Sequence, residues 1–163
     1  MQHLCSIVIV FCAVLAVATA DYRQDALDLH NQYRKKHNSP PLALSDKLNN
    51  VAQNWAQNMA DSNEMEHSNG KYGENLYMSS NTKLSDSAAV LEATTQWYNE
   101  NKKYNYRFGK FSSGTGHFTQ VVWKSSKYMG IGVARSSRGV YVCANYDPKG
   151  NFVGEFIQNV LKA

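Results

Sequence analysis

Gly114-Thr115-Gly116-His117-Phe118-Thr119-Gln120-Val121-Val122-Trp123-Lys124-Ser125 sets one titratable side chain, His117, behind two glycines and ahead of an apolar run. Glycines let a backbone turn tightly and approach its neighbours without a Cβ clash. Phe118, Val121 and Val122 recur at the i, i+3, i+4 spacing of a helix. The stretch predicts one or two helical turns, pinned to a core by Phe118, Val122 and Trp123, with His117 at the entrance. An imidazole held there suits a metal site or a polar cleft. The competing reading is a core histidine satisfied by a backbone carbonyl.

On the C-terminal side, Tyr128 to Arg135 alternates Met129, Ile131 and Val133, and Val140 to Tyr146 follows. Both read as strands, with Ser136-Ser137-Arg138-Gly139 as the hairpin between them. On the N-terminal side lies an aromatic loop, Tyr104 to Phe111. Before it, Ser85 to about Asn101 predicts a helix with Ala88, Ala89, Leu91 and Thr95 facing the core near Trp97 and Tyr98. Glu100 falls at the end of that helix, where the dipole disfavours a carboxylate unless something cationic faces it. Gly73 to Met78 reads as a short extended piece, after a polar loop over 61–72 that carries His67. Ser45 N-caps a helix to about Met59, with Leu48, Val51, Ala52, Trp55 and Met59 on one face. Asp21 to His37 predicts the first helix, with Tyr22, Ala26, Leu29 and Tyr33 inward. Arg34-Lys35-Lys36 load its last turn in favour of the dipole, and Ser39-Pro40-Pro41 stops it. No repeat or linker interrupts the chain. Partly segregated helices and strands with a late hairpin argue α+β rather than a doubly wound sheet.

Residues 1–20 contain no Asp, Glu, Lys or Arg, an apolar run from Leu4 through Val17, and Ala18-Thr19-Ala20 before Asp21. They read as a secretory signal peptide, although the usual basic n-region is missing, and leave residues 21–163 as one domain. The run is short against the ~20 apolar residues of a spanning helix. A dispersed net charge of +4 suits solubility or loose association with anionic lipid or glycan surfaces. It makes no case for nucleic acid. Cys143 is the one cysteine after residue 20, so this domain is expected to be held by packing without an internal disulfide, as a monomer or a weak homodimer. In an apolar strand, that cysteine reads as a buried free thiol.

Gly116-His117-Phe118-Thr119-Gln120-Val121-Val122-Trp123-Lys124-Ser125-Ser126 resembles the first signature of the CAP superfamily, the cysteine-rich secretory, antigen 5 and pathogenesis-related 1 proteins. Tyr141-Val142-Cys143-Ala144-Asn145-Tyr146-Asp147-Pro148-Lys149-Gly150-Asn151-Phe152 resembles the second. His67, Gly73-Glu74-Asn75-Leu76 and Trp97-Tyr98-Asn99-Glu100 fall in the family's order, so the resemblance spans essentially all of 21–163. It implies a three-layer α-β-α sandwich around a central antiparallel sheet. It also implies that His67, His117, Glu74 and Glu100 share a cleft, with the imidazoles able to hold Zn²⁺ weakly and the carboxylates in support.

Two departures from the family pattern matter. Ala144 stands where disulfide-bonded members carry a cysteine, and neighbouring Cys143 points to the opposite face of a strand. The chain also ends soon after the second signature, so it is most similar to the short, disulfide-poor subgroup that includes the Golgi-associated members. Tyr104, Tyr106, Phe108 and Phe111 fit an aromatic pattern that serves as a sterol-binding loop in yeast sterol-exporting relatives. The resemblance therefore implies a secreted, non-enzymatic protein that binds a sterol or fatty acid, a membrane surface or an extracellular partner. The alternative is a metal-assisted hydrolase using the same cleft, without a G-x-S-x-G or H-E-x-x-H motif to support it.

Overall fold

The computed structural model describes residues 21–163, so the proposed signal peptide lies outside the described residues. Helix α1 (Tyr22–Lys36) is followed by strand β1 (Ala43–Leu44), helix α2 (Asp46–Ser62) and strand β2 (Gly73–Ser79). Then come α3 (Asp86–Asn99), a 3₁₀ turn over Glu100–Lys103, α4 (Gly116–Val122), β3 (Tyr128–Arg135), β4 (Val140–Asp147) and α5 (Phe156–Asn159). Asp21, Ser45 and Ser85 cap the first three helices with side-chain oxygens, each satisfying an N–H that the helix cannot.

The strands form one sheet in the order β1-β3-β4-β2. β2, β4 and β3 are antiparallel neighbours, as expected for the sheet's centre. The sheet as a whole is mixed, because β1 pairs parallel to β3 through Ala43 with Tyr128 and Leu44 with Met129. Two residues after a Pro-Pro pair carry no alternation from which a strand could be read.

Strand alternation sends residues to two cores, one on each face. Met129, Ile131, Val133, Val142, Ala144 and Tyr146 meet α1, α3 and α4 on one side. Cys143, Tyr141, Ala134 and Leu76 meet α2 on the other. The result is the expected α-β-α sandwich, with Ala144 and the free, buried Cys143 on opposite faces.

The inward faces of the helices differ from the sequence expectation. In α1 the buried line is Ala26, His30 and Arg34, while Tyr22, Leu29 and Tyr33 are half-buried. In α3 it is Ala89, Val90, Ala93, Thr94 and Trp97, which leaves Leu91 exposed and Ala88 and Thr95 half-buried. In α2 the small residues Ala52, Ala56 and Ala60 lie on the sheet, while Val51 and Trp55 are half-buried. Small side chains admit close helix approach, and larger ones splay to the flanks.

Beyond β1, the free side of β3 is met by α2. Asn49 Oδ1 accepts from Ile131 N (3.1 Å), Gln53 Oε1 accepts from Val133 N (3.2 Å), and Gln53 Nε2 donates to Val133 O (2.8 Å).

Candidate functional site

His117 enters α4 one residue after its first, as the local spacing predicts, and Phe118, Val121, Val122 and Trp123 behind it are buried. Glu100 lies where α3 gives way to the 3₁₀ turn, against the dipole of α3 but facing the start of α4. Its Oε1 accepts from His117 Nδ1 at 2.8 Å, and its Oε2 accepts from the backbone N–H groups of His117 (2.9 Å) and Phe118 (3.1 Å). One carboxylate thus orients the imidazole and satisfies two orphan donors of the helix. Burial presses the Glu100 carboxyl upward. The hydrogen bond and charge of His117, with the two N–H groups, outweigh it and hold the group below the usual range.

The second pair has the same form. Glu74, near the start of β2, accepts from His67 Nδ1 (2.8 Å) and Ser68 N (3.0 Å) through Oε1, and from Ser68 Oγ (2.5 Å) through Oε2. The Cys143 thiol lies beneath it at 4.0 Å, where burial first and the Glu74 charge second push the thiol pKa up. All four residues line one cleft of about 360 Å³, together with Asn75, Phe111, Gly116 and Asn151.

In both histidines Nδ1 is held by an acceptor-only carboxylate, so Nδ1 carries the proton and Nε2 has the free lone pair. Neither Nε2 has a hydrogen-bond partner among the described residues. This donor set fits two-point ligation of a divalent metal with carboxylates behind the ligands. No cluster of three or more His, Cys, Asp or Glu suited to a metal occurs among the described residues. The protein therefore offers two nitrogens, and further positions would fall to water or a ligand.

Several supporting residues carry no local signal in the sequence. Asn75 Nδ2 donates to His117 O (3.1 Å) and to the Tyr146 hydroxyl (3.3 Å). His30 Nδ1 lies 2.7 Å from Ala26 O, a pure acceptor, so that nitrogen is protonated and the Tyr146 hydroxyl donates to Nε2 at 2.8 Å. Burial, with the Arg34 charge, lowers the His30 pKa to about 4. Asn151 ties the loop after β4 to α4, donating to Gly116 O (2.9 Å) and accepting from Thr119 Oγ1 (2.6 Å). Trp97 stacks near His117, with ring centroids 6.3 Å apart. Asn75, Trp97, Tyr146 and Asn151 stand inside the quoted family motifs, whereas His30 stands outside them.

Arg34, one of the three basic residues in the last turn of α1, is fully buried. Its guanidinium donates to the carbonyls of Pro40 (2.8 Å), Val121 (3.0 Å), Trp123 (2.9 Å) and Ser126 (3.0 Å). It thereby ties the loop after α1 to the end of α4, where Trp123 O also accepts from Ser126 N (3.1 Å).

The aromatic loop divides. Tyr104 is buried and Tyr106 half-buried, both packing on Phe118 at centroid distances of 5.7 and 6.4 Å. The Tyr104 hydroxyl is buried without a partner among the described residues. Phe108 and Phe111 are exposed, and Phe111 also borders the cleft.

A family model described as CAP, the cysteine-rich secretory protein family, matches residues 27–146. Golgi-associated plant pathogenesis-related protein 1 of Homo sapiens is 41% identical over 151 residues, covering 88% of this chain and 95% of that protein. Secreted protein RBT4 of Candida albicans is 38% identical over 143 residues, covering 85% of this chain and 38% of that protein. Among solved structures, the crystal structure of NaASP2 with Zn²⁺ superposes with a TM-score of 0.72 at 24% identity, covering 94% of this chain and 91% of that one. At that identity the likeness speaks for the fold.

Proposed function

Because the chain belongs to the CAP family of cysteine-rich secretory proteins, we propose a secreted, non-enzymatic binding protein with two ligand regions. The His/Glu cleft takes a divalent metal, zinc foremost, and the aromatic loop takes a sterol or fatty acid. The observation that carries the metal reading is the matched orientation of His67 and His117, each with Nδ1 held by a carboxylate and Nε2 unpaired beside the same cleft. His67 and His117 would hold the ion, with Glu74 and Glu100 fixing the rings. Bound zinc would supply a positive charge that polarises water or a ligand oxygen.

The lipid reading rests on exposed Phe108 and Phe111, which follow Tyr104 and Tyr106 in the aromatic loop. Secretion rests on residues 1–20, with cleavage before Asp21, and on relatives that include a secreted protein.

Zinc titration by calorimetry tests the metal site. Wild type is expected to bind weakly and reversibly, with affinity falling on acidification because a protonated imidazole has no lone pair. The His67→Ala/His117→Ala double variant is expected to show no such binding. Equal affinity in the two proteins removes the site.

The second reading is metal-assisted hydrolysis in the same cleft, favoured by Ser68, whose hydroxyl lies 2.5 Å from Glu74 Oε2. That hydroxyl meets a carboxylate and no imidazole, so a serine–histidine nucleophile pair is not formed. Binding remains the preferred reading.

A further inference from the structure

Exposed large apolar side chains concentrate in two neighbouring segments: Phe108 (60%) and Phe111 (56%) in one, and Phe152 (42%), Val153 (92%) and Ile157 (70%) in the other. The segments touch. The Gly109 backbone lies so close to Ile157 that a Cβ there would collide with it, and the rings of Phe111 and the buried Phe156 are 6.4 Å apart. Phe156 anchors α5 in the core, which turns Ile157 outward and leaves Val153 at the tip of its loop.

The charge around this patch is of one predominant sign. Lys110 Nζ lies 5.7 Å from the Phe108 ring centroid, and Lys149 Nζ lies 5.3 Å from that of Phe152. Lys102, Lys103 and Arg107 add positive charge in the segment before Phe111, which contains no acid after Glu100. Glu155 and Asp147 are the acids of the second segment. Apolar tips set among basic side chains are matched by a surface with a hydrocarbon interior and an anionic face.

We propose that Phe108, Phe111, Phe152, Val153 and Ile157, with Lys110 and Lys149, form a docking face for an anionic lipid bilayer. The lipid-ligand reading concerns one molecule at the aromatic loop. This face extends it to a surface, and rests on it only in sharing Phe108 and Phe111. Docking would set the mouth of the His/Glu cleft, which Phe111 also borders, close to the headgroup layer.

Vesicle co-sedimentation of residues 21–163 tests it, with phosphatidylcholine vesicles compared against mixed phosphatidylcholine/phosphatidylserine vesicles. Wild type is expected to bind the anionic vesicles and not the neutral ones, and to be released by high salt. Val153→Asp/Ile157→Asp is expected to weaken binding roughly tenfold or more, and Lys110→Glu/Lys149→Glu likewise, both with unchanged thermal unfolding. Absence of wild-type binding overturns the proposal, as does binding indifferent to Val153→Asp/Ile157→Asp. So does a concentration-dependent dimer, without vesicle binding, that this same variant dissolves, because the face is then a self-contact. A fluorescent sterol titrated without vesicles separates the two readings: Val153→Asp/Ile157→Asp should retain it. Loss of sterol binding in wild type with vesicle binding intact sinks the lipid-ligand reading alone.

Discussion

Arg34 carries a charge into the interior with no carboxylate partner among the described residues. Four carbonyl oxygens stand in for that carboxylate, and burial lowers its pKa only to about 10, so it stays protonated at neutral pH. A planar fork of donors reaches four acceptors in different directions, whereas an ammonium on a flexible stem cannot. Arg34→Lys is therefore expected to lose on the order of 3 kcal/mol in urea unfolding, through carbonyls left buried and unpaired. A loss below about 0.5 kcal/mol, the level of an ordinary surface change, would show that the guanidinium is not holding them. Nothing in an Arg-Lys-Lys run tells which residue turns inward, because three of the four acceptors come from residues 87 to 92 positions away. His67, Glu74, Glu100 and His117 were legible because they fall in family motifs. The local pattern alone left His117 open between cleft and core. Asn75 and Asn151 stood in the same motifs, but their partners are 42 and 35 residues distant.

At the scale of elements, β3 shows how half of a pattern can be read. Met129, Ile131 and Val133 announce a strand and its apolar face. The other face carries Gly130 and Gly132, and its meaning depends on α2. A Cβ on Gly130 would strike the backbone of Leu48 and Asn49, and one on Gly132 the backbone of Ala52 and Gln53. The helix therefore lies on bare backbone, close enough for Asn49 and Gln53 to reach the strand. Gly132→Val is expected to cost at least ~2 kcal/mol by overpacking against a backbone that cannot yield. Its unfolding midpoint in urea measures this, and a midpoint equal to wild type would contradict the contact. Helix positions were legible from caps and periodicity, but inward faces were not. Alanines and buried polar residues line α1 and α3 where a hydrophobicity pattern favours leucine and tyrosine.

Across the whole molecule, the interior is tuned to neutral pH by buried imidazoles. His30 takes up a proton near its ordinary 6.5 in the unfolded chain but only near 4 in the folded one. The unfolded state thus binds more protons between those values, and stability falls as pH drops through them, by roughly 3 kcal/mol in total for this group. His37, also lowered by burial, acts in the same direction. Urea unfolding at several pH values between 7 and 4 should show this slope, and His30→Gln should flatten it. An unchanged slope in the variant would assign the acid sensitivity elsewhere. The amides of α2 have one more consequence. β1 covers β3 at its start, and Asn49 and Gln53 occupy its N–H and C=O groups further on, as a neighbouring strand would. On the opposite edge, the Trp97 indole N–H occupies Leu76 O. On the β3 edge, backbone that would otherwise template a strand of another copy is thus largely taken, whereas on β2 one carbonyl is. Crowding many copies onto one lipid surface, as the proposed docking face would do, then carries little risk of seeding cross-β growth from the β3 edge.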